Sequence, residues 1–140
     1  MGTKSLTGGI ITGVLAFLIG WLVFGILLMD WYMAHSYAEA KAIMKPEPVI
    51  WMIGVGNLLY GLLLAYVCEL GKVQTATKGA IVCGIVTFLM MSTIDLYFLA
   101  QMKLFGKQAA MVDIAANTVI GLLLGAFLGW WMGRGTKAVA

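Results

Sequence analysis

Apolar residues run along this chain in long blocks, and polar residues gather in the gaps between them. Four blocks stand out, residues 7–29, 49–70, 79–102 and 109–132, each broken only by isolated polar side chains. As helix, each would extend about 30 Å or more, enough to cross the hydrocarbon core of a bilayer. The gaps differ in kind. GKVQTATK, residues 71–78, is a tight polar turn, whereas WYMAHSYAEAKAIMKPEP, residues 31–48, is long enough to hold structure of its own. Residues 37–44 are good helix formers, and Pro46 and Pro48 stop any helix that reaches them. The pattern predicts an all-α integral membrane four-helix bundle filling one domain, residues 1–140. Its first helix projects beyond the membrane and breaks before Pro46.

The blocks also repeat. GGIITGVLAFLIG, residues 8–20, aligns with GAIVCGIVTFLMM, residues 79–91, through Gly, Ile, Gly, Phe and Leu at matching places. GNLLYGLLLA, residues 56–65, aligns with ANTVIGLLLG, residues 116–125, through Asn57 and Asn117, Gly61 and Gly121, and the three leucines that follow. The chain thus reads as two parallel copies of a helical hairpin, residues 7–70 and 79–132, related by a pseudo-twofold axis along the membrane normal. In the fourth block Gly121, Gly125, Gly129 and Gly133 recur every four residues, one stripe on which a neighbouring backbone can lie closely. Gly61 belongs to a shorter stripe in the second block. Such stripes serve contacts inside the bundle or a seam between copies of the chain.

Composition agrees with this class: 62% of residues are hydrophobic, 11% are charged and the mean hydropathy is +0.99. Four spans leave no room for a soluble catalytic or nucleic-acid-binding domain. The net charge of +3 sits at the membrane edges and needs no nucleic acid to explain it. Lys4 precedes an apolar run too long for a signal peptide and lacking a small-residue cleavage site, so the first span is read as retained. Lys4, Lys72, Lys78, Arg134 and Lys137 fall on the side of both termini, against Lys41, Lys45, Lys103 and Lys107 opposite, where Glu39, Glu47 and Asp113 also fall. That slight excess of positives puts both termini in the cytoplasm. Trp31, Tyr32 and Tyr37 suit an outer interfacial belt, and Trp130 and Trp131 an inner one.

Polar residues inside the blocks are the candidates for function. Asp95 lies about seven residues before the outer end of the third span, and Asn57 and Asn117 about eight residues into spans that start at that side. At about 1.5 Å per residue all three fall roughly 10 to 12 Å below the same surface. Ser92 stands one turn from Asp95 on a similar face, and Asp30 lies nearer the outer mouth. A charged carboxylate at the bilayer centre costs roughly 2.5 to 3.5 kcal/mol on insertion scales. Asp95 is therefore expected to face the bundle, within hydrogen-bond reach of an amide or water. This layer is either a clamp holding the repeats in register or a site that exchanges a proton or cation. His35 and Glu39 do not complete a metal site, Cys68 and Cys83 read as core thiols, and no motif for a catalytic nucleophile, haem or phosphate loop appears. No enzyme activity, metal or cofactor is expected.

GWLVFGILLMDWYM, residues 20–33, with Phe24, Gly25 and Trp31, resembles the end of the first helix in a family of bacterial four-helix membrane proteins known as the domain-of-unknown-function 1761 family. MVDIAANTVIGLLLGAFLGWW, residues 111–131, is similar to that family's last helix. The resemblance implies a small multi-pass protein of the bacterial inner (cytoplasmic) membrane, and brings no functional residues with it. Two functions fit the sequence. One is a non-enzymatic packing or accessory subunit, a homo-oligomer or part of a larger membrane complex, with membrane lipids around it. The other is a small proton- or cation-handling transporter or channel. The predicted topology is tested with single cysteines at Thr3, Thr75 and Thr136 in a cysteine-free background: all three should resist an impermeant thiol reagent in intact cells. Labelling of all three from outside would reverse the orientation.

Overall fold

The computed structural model of the chain describes residues 1–134, so Thr136 and Lys137 lie outside the described part. The bundle is all-α, and four helices are long and apolar enough to cross a membrane: Thr3–Leu27, Ile50–Leu70, Ala76–Gln101 and Lys107–Gly133. The protein is a multi-pass membrane protein. In chain order the elements are α1 (Thr3–Leu22), continued as a π-helical segment (Val23–Leu27), α2 (Met29–His35), α3 (Ala38–Ile43), α4 (Ile50–Leu70), α5 (Ala76–Gln101) and α6 (Lys107–Gly133).

The first helix departs from expectation. It does not run on towards Pro46 but widens at Val23–Leu27, where the Leu28 amide bonds five residues back to the Val23 carbonyl at 2.8 Å. Gly25 lies within this segment, and a Cβ there would meet the Trp21 ring. Such π segments in otherwise regular helices are frequent at functional sites. Beyond the break, α2 and α3 fold over the end of the bundle away from the N-terminus. There the Tyr37 amide bonds the Leu104 carbonyl at 3.2 Å, and Ser36 bridges to Phe105.

The opposite end gathers the N-terminus, the 71–75 turn and the end of α6. The Gly2 amide donates to Glu69 Oε1 at 2.9 Å, Lys4 Nζ donates to the carbonyls of Met132 and Arg134, and Trp131 Nε1 donates to the Lys4 carbonyl at 3.1 Å. Lys72, at φ 47°, follows α4 in the left-handed conformation that glycine usually supplies, and Lys78 Nζ reaches back to the Gly71 carbonyl. Thr75 starts α5 by accepting from the Lys78 amide.

Packing divides the bundle into two tight pairs, α1 with α4 and α5 with α6, which meet each other over a thinner seam. Glycine sets the closeness within each pair. A Cβ on Gly61 would land on the backbone of Gly9 and Gly13. One on Gly125 would strike the Gly79 carbonyl and the Cys83 side chain, one on Gly129 the Thr75 carbonyl, one on Gly121 the Thr87 side chain, and one on Gly133 the Gln74 carbonyl. The stripe on α6 is thus covered by α5 and by the turn before it. Gly54, by contrast, borders open space: a Cβ there would have no neighbour within 4 Å. Leu64, Ala65, Cys68, Cys83, Leu124 and Leu128 fill the remaining core.

These contacts predict opposite outcomes for two substitutions of the same kind. Gly125→Leu should force α5 and α6 apart and lower stability by about 1–3 kcal/mol or more. Gly54→Leu should leave the thermal midpoint in detergent near wild type. Equal midpoints for the two variants would refute this account of the pairing.

Candidate functional site

Polar groups gather at and beside the seam between the two pairs. Asp95 of α5 is 4% exposed, and its carboxyl lies near enough to that of Asp113 of α6 for each to act on the other electrostatically. Asp95 Oδ2 has no hydrogen-bond partner among the described residues. Asp113 is well connected: Asn117 Nδ2 donates to its Oδ2 at 2.9 Å and to its backbone carbonyl at 3.0 Å, and the Tyr32 hydroxyl donates to its Oδ1 at 3.3 Å. Burial, and next the Asp113 carboxyl beside it, push the Tyr32 phenol above its usual range. Tyr32 therefore stays protonated and keeps its role as donor.

The polar layer read from depth alone needs correction in its partners. Asp95 meets Asp113, which the sequence presents only as an outer-side acid, and not an amide. Asn117 bonds Asp113, while Asn57 Nδ2 donates to the Ile53 carbonyl of its own helix at 2.9 Å. Ser92 is half-buried one turn from Asp95, and Asp30 is exposed on α2. Asp113, Tyr32 and Tyr60 are the site residues that sequence reasoning misses. The spacing Asp113 to Asn117 is a signal for the first, since residues four apart share a helix face.

Two cavities flank Asp113. The larger, about 960 Å³, lies between the helix pairs and is walled by Trp21, Phe24, Tyr60, Met90, Asn57 and Asn117 among others. The smaller, about 330 Å³, lies beneath α2 and the 102–106 connection, with Tyr32, Ser36 and Phe105 in its wall. Asp113, Phe24 and Met29 line both. Among the described residues no Lys, Arg or His lines either one.

Deeper along the seam, the Thr87 hydroxyl donates to the Cys83 carbonyl at 2.7 Å, so the Tyr60 hydroxyl is the donor in the 2.6 Å bond between Tyr60 and Thr87. Beyond it Cys68 and Cys83 are both free and buried, with sulfurs 3.4 Å apart. Polar side chains therefore recur at several depths where the two pairs meet. Among the described residues no three His, Cys, Asp or Glu side chains gather as a metal site.

No protein-family model matches the chain, and no solved structure matches it. One stretch is similar to the xylose transport system permease protein XylH of Escherichia coli (strain K12), and equally to its counterparts in Escherichia coli O6:H1 and Shigella flexneri. The similarity is 38% identity over 69 residues, 42% of this chain and 18% of each permease. The chain thus spans less than a fifth of the length of the curated relatives it matches.

Asp113 is the hub of this site, and removing its oxygens should show it. Asp113→Leu would take the carboxylate acceptor from the Tyr32 hydroxyl and the Asn117 amide, leaving Asn117 only its bond to the backbone carbonyl of residue 113, at about 1–3 kcal/mol for a buried group left unpaired. Asp113→Asn keeps an acceptor and should be milder. Reversible unfolding in mixed micelles checks the order; a leucine variant as stable as wild type would remove Asp113 from the centre of the network.

Proposed function

We propose that this protein is a small, non-enzymatic carrier or conductor of protons or other cations, set in a bacterial inner membrane with both termini in the cytoplasm. The observation that carries the reading is Asp113, a carboxyl in the wall shared by two cavities, with the buried Asp95 of the facing helix beside it. Ionisable groups inside a membrane protein that face a cavity mark ion and proton pathways. Two neighbouring carboxyl groups that hold one proton between them exchange it without exposing two full charges to hydrocarbon. The Tyr60–Thr87–Cys83 chain gives polar footing deeper in the same seam.

Likeness to a segment of a transport permease supports movement of a solute across the membrane. Xylose itself suits the cavity poorly, because a sugar needs many hydrogen-bonding partners and these walls are chiefly aromatic and aliphatic. The alternative, an accessory subunit, draws on the glycine stripe of α6, but that stripe is spent on α5 and offers no free seam to a second chain.

The reading is tested in proteoliposomes carrying a pH-sensitive dye, with proton entry driven by an imposed potential. Wild type should dissipate the gradient, while Asp95→Asn and Asp113→Asn, folded by thermal melt, should fall to the level of empty liposomes. If wild type moves neither protons nor alkali cations, the carboxyl pair is a fastener between α5 and α6 and the transport reading fails.

A further inference from the structure

We propose that the cavity between the helix pairs binds a lipophilic organic cation, a molecule with a quaternary or delocalised positive centre and an apolar body, entering sideways from the bilayer. The proposal rests on the transport reading for its purpose, but binding is measured separately from flux.

Charge selects the sign. Asp113 is the one described wall residue that can carry a full charge, and Asp95 stands behind it, almost fully buried with Oδ2 unpaired and no basic side chain among the described residues of either cavity to balance it. The two wall asparagines reinforce this. Asn117 spends both amide hydrogens on Asp113 and has its oxygen left to offer a ligand, and Asn57, with one hydrogen spent on the Ile53 carbonyl, offers an oxygen as well.

The other walls select an apolar, polarisable body. Trp21, Phe24 and Tyr60 present aromatic rings, and Met90 and Met91 present thioethers. Aromatic faces attract cations most strongly where water is excluded, and methionine adapts to irregular ligands. A metal ion or hydrated alkali cation would leave such walls unsatisfied. The volume, about 960 Å³, matches the upper end of small-molecule sites, roughly 300–1,000 Å³. Access follows from exposure, because Trp21 and Leu59 line the cavity yet are 59% and 62% exposed on the flank of the bundle, where acyl chains surround it.

The probe is tetraphenylphosphonium, offered to the full-length protein in nanodiscs of phosphatidylcholine, with empty nanodiscs subtracted. Saturable binding is expected, with quenching of tryptophan fluorescence that is lost in Trp21→Phe. Asp113→Asn should bind on the order of tenfold more weakly, and Asp30→Asn, away from the cavity, should bind as wild type. Tetraphenylborate has nearly the same shape and the opposite charge, and should not compete. Should Asp113→Asn fail to fold, Asn57→Ala and Trp21→Ala carry the same comparison. No saturable binding above empty nanodiscs overturns the site, as does equal competition by tetraphenylborate, which would make the cavity an apolar slot for acyl chains. Proton flux without phosphonium binding would overturn this site and keep the proton reading. Binding without flux of protons or cations would keep the site and overturn the transport reading.

Discussion

In a bilayer no hydrophobic gain drives one apolar helix onto another, so a bundle must be held by van der Waals contact and hydrogen bonds between helices. Here that contact is backbone on backbone. Gly61 lies on Gly9 and Gly13, and Gly125 lies on Gly79, positions where a single added methyl group has no space. Each helix pair is consequently closely packed where these glycines lie. The rest of the architecture follows from where this closeness ends. Between the pairs, glycine contact gives way to larger side chains, the packing thins, and a cavity and the polar groups occupy the difference.

Polar side chains belong at such a seam for a physical reason. Within a pair the backbones are too close to admit a carboxyl or phenol group, and on the outer flanks those groups would face hydrocarbon. Asp95 and Asp113 stand on the same pair, α5 and α6, yet towards the end away from the N-terminus, beyond the reach of the glycine stripe, where Tyr32 of α2 can cover them. Deeper in, Thr87 sits opposite Gly121, and only because that position lacks a side chain is there room for a hydroxyl that also takes the Tyr60 bond across the seam.

The spans are legible in the sequence because long apolar blocks bounded by charges leave few alternatives in a chain of this hydropathy. The break at Leu28 is not: a π segment is one residue wider than the α-helix it continues, and a uniformly apolar run carries no trace of that change. The site is legible in part. The energetic penalty on a lipid-facing carboxylate is reason enough to turn Asp95 inward, and the side chain is buried. Its partner is hidden because Asp113 lies near the start of its helix and reads as an interfacial charge, until the loop helix α2 is seen to fold over it. Asn57 does not meet Asp95 for a local reason. A helix offers an asparagine the carbonyl four residues back, and that bond satisfies the amide without any crossing of the bundle.

The same division of packing determines which motion is cheapest. Separating α5 from α6, or α1 from α4, would break many close backbone contacts at once, whereas rocking one pair against the other disturbs mainly side chains that already border empty space. The π segment lies at the same place, since Trp21, Phe24 and Gly25 belong to the wall of the large cavity and Phe24 also borders the smaller one. A shift of that wall changes both spaces together, with Asp113 fixed between them by Asn117 of its own helix. The transport proposed above would draw on this division: two closely packed helix pairs, Asp113 in the wall of the cavity between them, and the widened end of α1 in that same wall.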